Sequence, residues 1–300
     1  MRKQQVAAIV VTYNRKKLLK ECIKSLLEQT AKPDIYIIDN NSTDGTVNYI
    51  AKYIDDNSIN YVNTGKNLGG AGGFQYGIKM VAQKDYDFVW IMDDDCIPTK
   101  NALNEFLKAD IKLNHDYGFL SSKTLWTDNT LCTMNIQRRT LTKNVSDFSS
   151  ELIPVTLASF VSLFVPVSVI KKVGLPIKEF FIWTDDWEYT RRISSKYECY
   201  VVTNSIVVHK TKTNVGANIA TDVPERIERY RYLYRNDFFF YRKEGLKGYG
   251  YEFLRLNDHM IRVLFKAKNN KRKRLKMIFK GTIEGLRFNP SMKLSNLLCK

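Results

Sequence analysis

The chain has 300 residues, of which 44% are hydrophobic and 12% aromatic, and a net charge of +16. This composition excludes disorder as the main state, and the length is sufficient for a large core. The charge is uneven, because residues 226–300 contain 20 Lys and Arg against 6 Asp and Glu, whereas residues 1–225 are nearly neutral. A basic C-terminal region of this kind indicates nucleic acid or an anionic membrane surface as a partner.

Apolar strand patterns and helical patterns alternate over the first hundred residues. Strands are predicted at Val6–Thr12, Asp34–Asp39, 59–62 and 88–92, and helices at 16–29, 47–54 and 74–81. This alternation predicts an α/β fold with an open, mostly parallel sheet and helices on both faces. Ligands of such sheets bind beyond the carboxyl ends of the strands.

The pattern is weaker from residue 116 to residue 154 and then recovers. Strands are predicted at 117–121, 157–165 and 199–209, and helices at 168–173, from residue 184 or 185 onward, and at 226–243, 250–268 and 271–287. The chain thus divides into an α/β domain, residues 1–225, and a basic helical region, residues 226–300.

The five cysteines are widely spaced and form no CxxC pair. They are Cys22, Cys96, Cys132, Cys199 and Cys299. Their spacing predicts neither a disulfide framework nor a zinc site and fits a reducing compartment. The apolar stretch 6–11 is too short for a signal peptide, and no stretch approaches the ~18 apolar residues of a membrane span. We therefore expect a cytoplasmic protein that is soluble or peripheral at the inner face of the membrane.

Three consecutive acids, Asp93, Asp94 and Asp95, follow the apolar run 88–92. Adjacent carboxylates at the end of a buried strand repel one another, unless a hard divalent cation that also binds phosphate lies between them. A solvated turn or a helix cap is the simpler explanation of such a cluster on its own.

Polar clusters also follow the first two predicted strands, at residues 12–15 and 39–41. The carboxyl ends of parallel strands meet at one edge of a sheet, so these clusters and the three acids are expected to converge. Convergence from three separate strands favours a binding site for a nucleotide diphosphate over three unrelated turns.

Glycines dominate residues 69–73, but their spacing is not the GxGxxG of a dinucleotide-binding turn. A Rossmann dehydrogenase is therefore disfavoured. Such a density of glycine indicates either a close approach of the backbone to a ligand or a tight turn between strand and helix. We favour the ligand, because Phe74 begins a predicted helix at the same edge of the sheet.

A second acidic pair, Asp185 and Asp186, lies between Trp183 and Trp187 at the start of a predicted helix. Capping by Thr184 or Asp185 and the helix dipole explain acids at this position, but not the two flanking tryptophans. Aromatic faces beside carboxylates suit a sugar ring. Asp186, partly desolvated by its neighbours, suits a general base for a hydroxyl group.

Three histidines are present, and only one follows a strand. His209 ends the predicted strand 199–209, where a structural role and a role as a ligand of a carboxylate-bound cation are equally supported by its spacing. His115 and His259 lie in segments without evident partner residues, and we predict that both are non-catalytic.

Taken together, these motifs resemble glycosyltransferase family 2, the inverting GT-A enzymes that use nucleotide-sugar donors. The matching segments occur in the family's order and are residues 10–15, 38–45, 67–70, 93–95, 185–188 and 208–209. Residues 67–74, followed by the three acids, are similar to bacterial galactofuranosyltransferases that build capsule, O-antigen or cell-wall polysaccharide. Residues 234–236, Tyr-Arg-Asn, also match a pattern found after the family's histidine.

The resemblance implies a GT-A nucleotide-diphospho-sugar transferase fold over residues 1–225 and a set of site residues. The nucleotide sugar would be bound by Thr12, Asn14, Arg15, Asp39, Asn67, Asp93 and Asp94. Mn²⁺ or Mg²⁺ would be bound by Asp93, Asp95 and His209. The acceptor would be bound by Trp183, Asp185 and Trp187, with Asp186 as the catalytic base. The chain departs from the family pattern where Asp185 replaces a usual Glu and where Thr184 separates Trp183 from the acids.

The resemblance further implies UDP-galactofuranose as the donor and a glycan or lipid-linked glycan as the acceptor, with dTDP-rhamnose as the alternative donor. A nucleotidyltransferase is disfavoured, because its Gly-, Arg- and Lys-bearing signature near the first strand is missing. Nucleic acid is disfavoured as well, because the basic residues are not interleaved with a stacking platform. The mixture of bulky apolar and basic residues at 253–266 is typical of a helix at a membrane surface, and a packed helical subdomain with a solvated basic face is the alternative. Formation of an oligomer is compatible with the sequence.

Overall fold

A nine-stranded sheet forms the centre of the computed structural model, which describes residues 4–290. Its strands are β1 Val6–Thr12, β2 Asp34–Asp39, β3 Asn60–Asn63, β4 Phe88–Asp93, β5 Cys96–Pro98, β6 Leu120–Leu125, β7 Leu152–Pro154, β8 Leu163–Pro166 and β9 Tyr200–His209. The helices are α1 Lys16–Leu27, α2 Thr46–Tyr49, α3 Ala51–Asp55, α4 Gly69–Ala82, α5 Ala102–Lys112, α6 Val167–Val173, α7 Asp185–Ser194, α8 Tyr230–Arg242, α9 Gly245–Lys266 and α10 Lys271–Arg287. Cys299 and the last ten residues of the predicted basic region lie outside the described residues.

The strands follow the order β3-β2-β1-β4-β8-β6-β9-β5, and β7 pairs with β9. The first four strands are parallel, whereas β8 runs antiparallel to both of its neighbours. In this register Thr12 lies opposite Asp39, and Val11 lies opposite Asp93. The sheet is therefore mixed, with the predicted parallel arrangement in its first four strands, and it brings the three predicted polar clusters to one edge.

Strand β1 is buried along its whole length, because helices cover both faces of the sheet. Val6, Ala8 and Val10 pack in the same cluster as the apolar face of α1, while Ala7 and Ile9 pack with residues of α4. This continuous apolar pattern is typical of a parallel strand between two layers of helices. The strand therefore fixes the position of the polar residues that follow it.

The glycine-rich segment is helical, since α4 begins at Gly69 rather than at Phe74. A Cβ atom added at Gly73 would lie 2.6 Å from Cγ1 of Val11, and one added at Gly77 would lie 2.8 Å from Cγ2 of Ile9. These two glycines therefore allow α4 to pack closely on the sheet. Helix packing accounts for these two glycines, whereas the approach of a ligand to the glycine-rich segment 69–73 stays a prediction.

Other predicted elements are shorter or displaced in the structure. The strand predicted at 157–165 contracts to β8, because Ser162 has a φ of 64°, which extended backbone does not tolerate. The helix predicted at 47–54 is divided at Ile50 into α2 and α3. The strand predicted at 117–121 begins three residues later as β6.

The C-terminal helices pack mainly on one another around an apolar cluster that includes Tyr230, Tyr234, Val263 and Ile278. A Cβ atom added at Gly281 of α10 would lie 2.6 Å from a carbonyl oxygen of α8, so the backbones of these helices are in close contact. A 3-10 helix precedes α8 at Pro224–Arg229. The domain boundary at 225/226 stays a prediction.

Helix α9 carries much of its apolar surface on the outside. Leu246, Phe253, Leu254 and Phe265 are exposed by 91%, 67%, 68% and 82%. Within residues 4–290 no helix combines the length and the apolar composition needed to cross a bilayer. The exposed apolar side chains of α9 therefore lie on the surface of a helix too polar to span a membrane.

Candidate active site

The end of β1 holds the middle acid of the triplet in place. The Thr12 hydroxyl donates to Oδ2 of Asp94 at 2.7 Å, and Nη1 of Arg15 lies 3.2 Å from Oδ1 of Asp94. The same Nη1 atom donates to Oδ2 of Asp95 at 2.7 Å. Burial raises the pKa of Asp94 to about 6, although the charge of Arg15 opposes this shift. Thr12 and Arg15 thus fix the geometry of the acids at the edge of the sheet.

The other two acids form a cluster with His209, which β9 places beside β5. Side-chain ligand atoms of Asp93, Asp95, Cys96 and His209 all lie within 4.8 Å of one another. Burial and the charge of Asp95 raise the pKa of Asp93 to about 7, and a bound cation would remove this repulsion. Two carboxylates and an imidazole fit Mn²⁺ or Mg²⁺, whereas burial raises the pKa of the Cys96 thiol and disfavours the thiolate that metals bind.

His209 is oriented by a residue that the sequence did not indicate. Its Nδ1 atom lies 2.7 Å from Oδ1 of Asn135, and its Nε2 atom lies 3.0 Å from Oδ1 of Asp95. Because the Asn135 amide nitrogen donates to Ser159, its oxygen is left to accept the proton on Nδ1. This arrangement directs Nε2 toward the acids, as in ligand histidines that are held by an outer hydrogen bond. Asn135 belongs to the poorly patterned segment, where no sequence signal singles it out.

The loops after β1 and β2 are joined by side-chain hydrogen bonds. Oδ1 of Asn14 accepts the amide of Thr43 at 2.7 Å, and Asp39 accepts the amide of Ser42 and the hydroxyl of Tyr61 at 2.8 and 2.7 Å. Tyr61 was not predicted as a site residue, because a tyrosine inside a strand carries no distinctive pattern. Among the predicted nucleotide residues, Asp39 is thus buried at the edge of the sheet, and Asn14 is exposed on its rim.

Asn67 lies farther along the rim, on the loop that precedes α4. Its side-chain oxygen accepts the amide of Gly69 at 2.8 Å, so it stabilises the first turn of the helix. The residue is exposed. Its predicted contact with the donor stays a prediction.

The second acidic pair opens α7 and lies close enough to the first cluster to interact with it. Burial raises the pKa of Asp186 to about 7, and the negative charge of Asp93 adds to this shift. Burial and the charge of Asp186 raise the pKa of Asp185 to about 8. The charge of Asp93 acts on Asp186, so the fold brings the two acidic clusters near each other from segments about ninety residues apart. We call the region between the end of β4 and the start of α7 the cleft.

The two flanking tryptophans have different surroundings. Both are half-buried. The ring of Trp183 lies 5.2 Å from that of Tyr230, between centroids, whereas the guanidinium group of Arg138 lies 3.9 Å from the ring centroid of Trp187. The side chain of Arg138 therefore covers one face of Trp187. The assignment of both tryptophans to the acceptor stays a prediction.

Tyr230 also lines a cavity of about 260 Å³. The cavity is lined by residues 215–219, Tyr230, Leu233, His259 and Arg262. Its wall therefore combines apolar side chains, an imidazole and a guanidinium group.

The expectation that the other two histidines lack partners is wrong. Nδ1 of His115 lies 2.8 Å from Oδ2 of Asp110, and Nδ1 of His259 lies 2.9 Å from the Tyr234 hydroxyl. The partner of His259 does not show in the local sequence, because helices α8 and α9 meet only in the fold. The partner of His115 is a near neighbour in the sequence, at the end of α5. Burial lowers the pKa of His259 to about 4. Its imidazole is therefore neutral near pH 7.

Comparison with known proteins agrees with this geometry. Residues 7–146 match the model of glycosyl transferase family 2. The galactofuranosyltransferase GlfT1 of Mycolicibacterium smegmatis is 25% identical over 264 residues, which cover 81% of this chain and 84% of the relative. A poly-beta-1,6-N-acetyl-D-glucosamine synthase of Staphylococcus aureus is 30% identical over 112 residues, which cover 36% of this chain and 26% of the relative.

Solved structures share the fold at low sequence identity. The mannosyltransferase PcManGT from Pyrobaculum calidifontis, in complex with GDP-Man and Mn²⁺, has a TM-score of 0.61 at 14% identity and covers 95% of this chain and 88% of its own. S. aureus TarS 1–349 in complex with UDP-GlcNAc has a TM-score of 0.54 at 16% identity, over 95% of this chain and 92% of its own.

The fold and the cleft define a GT-A glycosyltransferase that uses a nucleotide sugar. Residues 7–146 match glycosyltransferase family 2, as the motifs predicted, and the chain is similar to a galactofuranosyltransferase over most of its length.

Proposed function

We propose that the chain is a metal-dependent inverting galactofuranosyltransferase that transfers galactofuranose from UDP-galactofuranose to a hydroxyl group of a growing bacterial surface glycan. The observation that carries the reaction type is the cluster of Asp93 and Asp95 with His209, together with the effect of the Asp93 charge on the pKa of Asp186. The similarity to GlfT1 over most of both chains favours galactofuranose as the donor sugar.

The donor would bind across the edge of the sheet where the strand ends converge. Asp93, Asp95 and His209 would hold Mn²⁺ or Mg²⁺, and two structural neighbours, PcManGT and GalNAc-T7, are complexes with Mn²⁺. When bound, the cation neutralises the charge of the leaving nucleotide diphosphate. The other predicted donor-binding residues are Thr12, Asn14, Arg15, Asp39, Asn67 and Asp94.

Asp186 would act as the general base. Its pKa of about 7 makes its carboxylate a stronger base than an exposed aspartate while leaving much of it ionised near neutral pH. It would remove the proton of an acceptor hydroxyl, whose oxygen attacks the anomeric carbon from the face opposite to the leaving group. A single displacement of this kind inverts the anomeric configuration, and no covalent enzyme intermediate is required.

The acceptor would approach from the side of Trp183. Asp185 and Trp187 are the other predicted acceptor residues, and Tyr230, whose ring lies 5.2 Å from that of Trp183, lines a cavity of about 260 Å³. Apolar and aromatic walls with a few polar groups are suited to the faces and hydroxyl groups of sugars. We therefore place a glycan or lipid-linked glycan acceptor there.

A transfer screen tests the reaction and the donor together. Purified protein is incubated with UDP-galactofuranose, dTDP-rhamnose and other nucleotide sugars, with and without Mn²⁺, and transfer to glycan acceptors is measured. We expect metal-dependent transfer from UDP-galactofuranose, and a loss of at least ~10²-fold in Asp186→Asn, because a general base contributes about this much.

Asp56→Asn is the matched control, because Asp56 is an exposed acid at the end of α3. It should transfer at the wild-type rate. Metal-dependent binding of dTDP alone, without UDP, would overturn the donor assignment. Unchanged transfer by Asp186→Asn would overturn the assignment of the base.

We further propose that the protein binds the inner face of the cell membrane peripherally through α9. Phe253 and Leu254 project apolar surface, while the adjoining segment 266–276 is rich in Lys and Arg. Anionic lipid attracts such a segment by roughly 1 kcal/mol per basic residue near the surface, and the apolar side chains can enter the headgroup region. This location would present the active site to lipid-linked acceptors.

Vesicle co-sedimentation tests membrane binding. The protein should sediment with vesicles that contain anionic lipid and much less with neutral vesicles, and Phe253→Ser/Leu254→Ser should weaken binding at least several-fold. Ile111→Ser is a suitable control, because Ile111 is 66% exposed on α5. Equal sedimentation with neutral and anionic vesicles would contradict the proposal.

A further inference from the structure

The segment that precedes Asp186 has an unusual backbone. Phe181, Trp183 and Thr184 each have a φ of 66°, in the left-handed region. Residues other than glycine rarely adopt this conformation, and a β-branched residue such as threonine does so least readily. Such a conformation persists only where surrounding groups hold it. Side chains and backbone groups that contact residues 180–184 must therefore hold this segment.

One such group is the side chain of Asn236 on α8. Its amide nitrogen lies 3.0, 3.0 and 2.9 Å from the carbonyl oxygens of Phe180, Ile182 and Trp183. Asn236 is fully buried, so water does not compete for these contacts. A single side chain thus gathers three carbonyl groups of the turn, a geometry that an extended or helical segment could not present.

A second group is the carboxylate of Asp237, the next residue of α8. The Thr184 hydroxyl donates to Oδ1 of Asp237 at 2.5 Å instead of capping α7, and Arg255 of α9 lies 2.8 Å from Oδ2. Arg255 also binds Glu252 through both of its carboxylate oxygens. Asp237 and Glu252 are buried, so this is a chain of paired charges inside the molecule. It ties the start of α7 to α8 and α9.

The opposite side of the segment is tied to α4. The carbonyl oxygen of Phe181 accepts the amide of Ala71 at 3.2 Å. Residues 180–184 are therefore held between the helix that follows the donor loop and the first C-terminal helix. Asp186 follows this clamped segment by only two residues, so any relaxation of Thr184 would move its carboxylate.

We propose that Asn236 and Asp237 are positioning residues for sugar transfer, which hold the strained segment 180–184 and thereby set the place of the Asp186 carboxylate in the cleft. The inference rests on the proposed role of Asp186 as the base. Neither residue needs to touch the donor or the acceptor. A displacement of about 1 Å at a reacting group can lower a rate ~10²-fold, so loss of either tie should act mainly on the rate of transfer.

Substitution of Thr184 gives a matched pair for the test. Thr184→Val keeps the shape and the β-branch but removes the hydroxyl that Asp237 accepts, whereas Thr184→Ser keeps the hydroxyl. We expect kcat for transfer to fall ~10²-fold in Thr184→Val and to stay within a few-fold of wild type in Thr184→Ser. The affinity for UDP in the presence of Mn²⁺ and the melting temperature should change little in both variants.

Asn236→Ala tests the other tie with a readout that needs no activity. Hydrogen–deuterium exchange of residues 180–188 should become at least tenfold faster, while exchange in β1 and β4 stays at the wild-type rate. Asn257→Ala is the control, because Asn257 is a half-buried asparagine of α9 whose side-chain amide donates to the Phe253 carbonyl of its own helix. If Thr184→Val does not fold, Asp237→Asn replaces it in the rate measurement.

The outcomes separate this inference from the proposed function. The inference would be overturned if Thr184→Val transferred sugar at the wild-type rate. It would also be overturned if kcat, UDP affinity and melting temperature all fell together in Thr184→Val and in Thr184→Ser. If the wild type transfers no sugar at all, the proposed function fails. In that case, unchanged hydrogen–deuterium exchange of residues 180–188 in Asn236→Ala would also contradict the claim that Asn236 holds residues 180–184. Faster exchange would support that claim even without the proposed function.

Discussion

At the scale of single residues, the cleft contains five aspartates with different surroundings. Asp94 is held by Thr12 and Arg15, whereas Asp93 and Asp95 share a cluster with His209. Acids with different partners can perform different tasks in one cleft, because their protonation equilibria diverge. The acids at the edge of the sheet and the acids of α7 therefore have different surroundings, which suit them to different roles.

The raised pKa of Asp186 predicts a pH dependence of transfer. A general base must be ionised, and burial raises the pKa of this carboxyl to about 7. The rate should therefore fall about tenfold for each pH unit below an acid limb near pH 7, or somewhat lower where a cation held by Asp93 offsets the negative charge. Initial rates of transfer between pH 5 and pH 8.5 measure this limb. A flat profile across this range would contradict the role of Asp186.

At the scale of elements, the sequence predicts best where one pattern controls a segment. Strands β1 and β2 and helix α10 have the predicted bounds, because continuous apolar runs or helical spacing specify them locally. The strand predicted at 157–165 was too long, since apolar residues there also pack well in irregular backbone around Ser162. Asn135 could not be predicted as a site residue, because its partner His209 comes from a strand far along the chain. The contact of Tyr61 with Asp39 depends on the pairing of β3 with β2, which the local pattern of β3 does not record.

The glycines of α4 give a prediction at the same scale. Gly77→Ala should destabilise the protein by about 1–3 kcal/mol, because its Cβ would lie 2.8 Å from Ile9 and 2.9 Å from Ile38 in a packed core. Gly70→Ala, in the same helix, meets no atom within 4 Å and should be neutral or stabilising by up to ~1 kcal/mol. Urea unfolding measures both variants. Equal free energies of unfolding for the two variants would contradict the prediction, because they would show that the core around α4 accommodates the added methyl group.

At the scale of the whole molecule, the C-terminal helices join the catalytic layer through buried polar contacts. His259 lies in this region, beside Tyr234 and near the charges of Arg255, Asp258 and Arg262. The sequence indicated the helices and their basic character, but not these contacts between them. The helix faces that meet are fixed by tertiary packing, which a local pattern does not record.

His259 predicts how the stability of the protein depends on pH. Burial lowers its pKa to about 4 in the folded state, against about 6.5 in the unfolded chain, so the unfolded state binds more protons between these values. Its contribution to stability is therefore complete near pH 7 and is lost progressively as the pH falls from about 6.5 toward 4. At pH 5 the loss should be on the order of 2 kcal/mol.

Urea unfolding of wild type and His259→Gln at pH 7 and pH 5 measures this contribution, since the difference between the two proteins removes the effect of other titrating groups. The stability gap between wild type and variant should shrink or reverse toward pH 5. A gap that is the same at both pH values would contradict the lowered pKa.

The hydrogen bond from Thr184 to Asp237 limits where the chain can be truncated or joined to a relative in a chimera. A fragment that ends at residue 225 would retain every acid of the cleft but would lack α8, which holds the turn before Asp186. Exchange of C-terminal helices with a relative would therefore have to preserve the asparagine–aspartate pair to keep catalysis. Under the proposed positioning role of Asn236 and Asp237, the helical region contributes to catalysis, and a chimera that replaces this pair should lose activity.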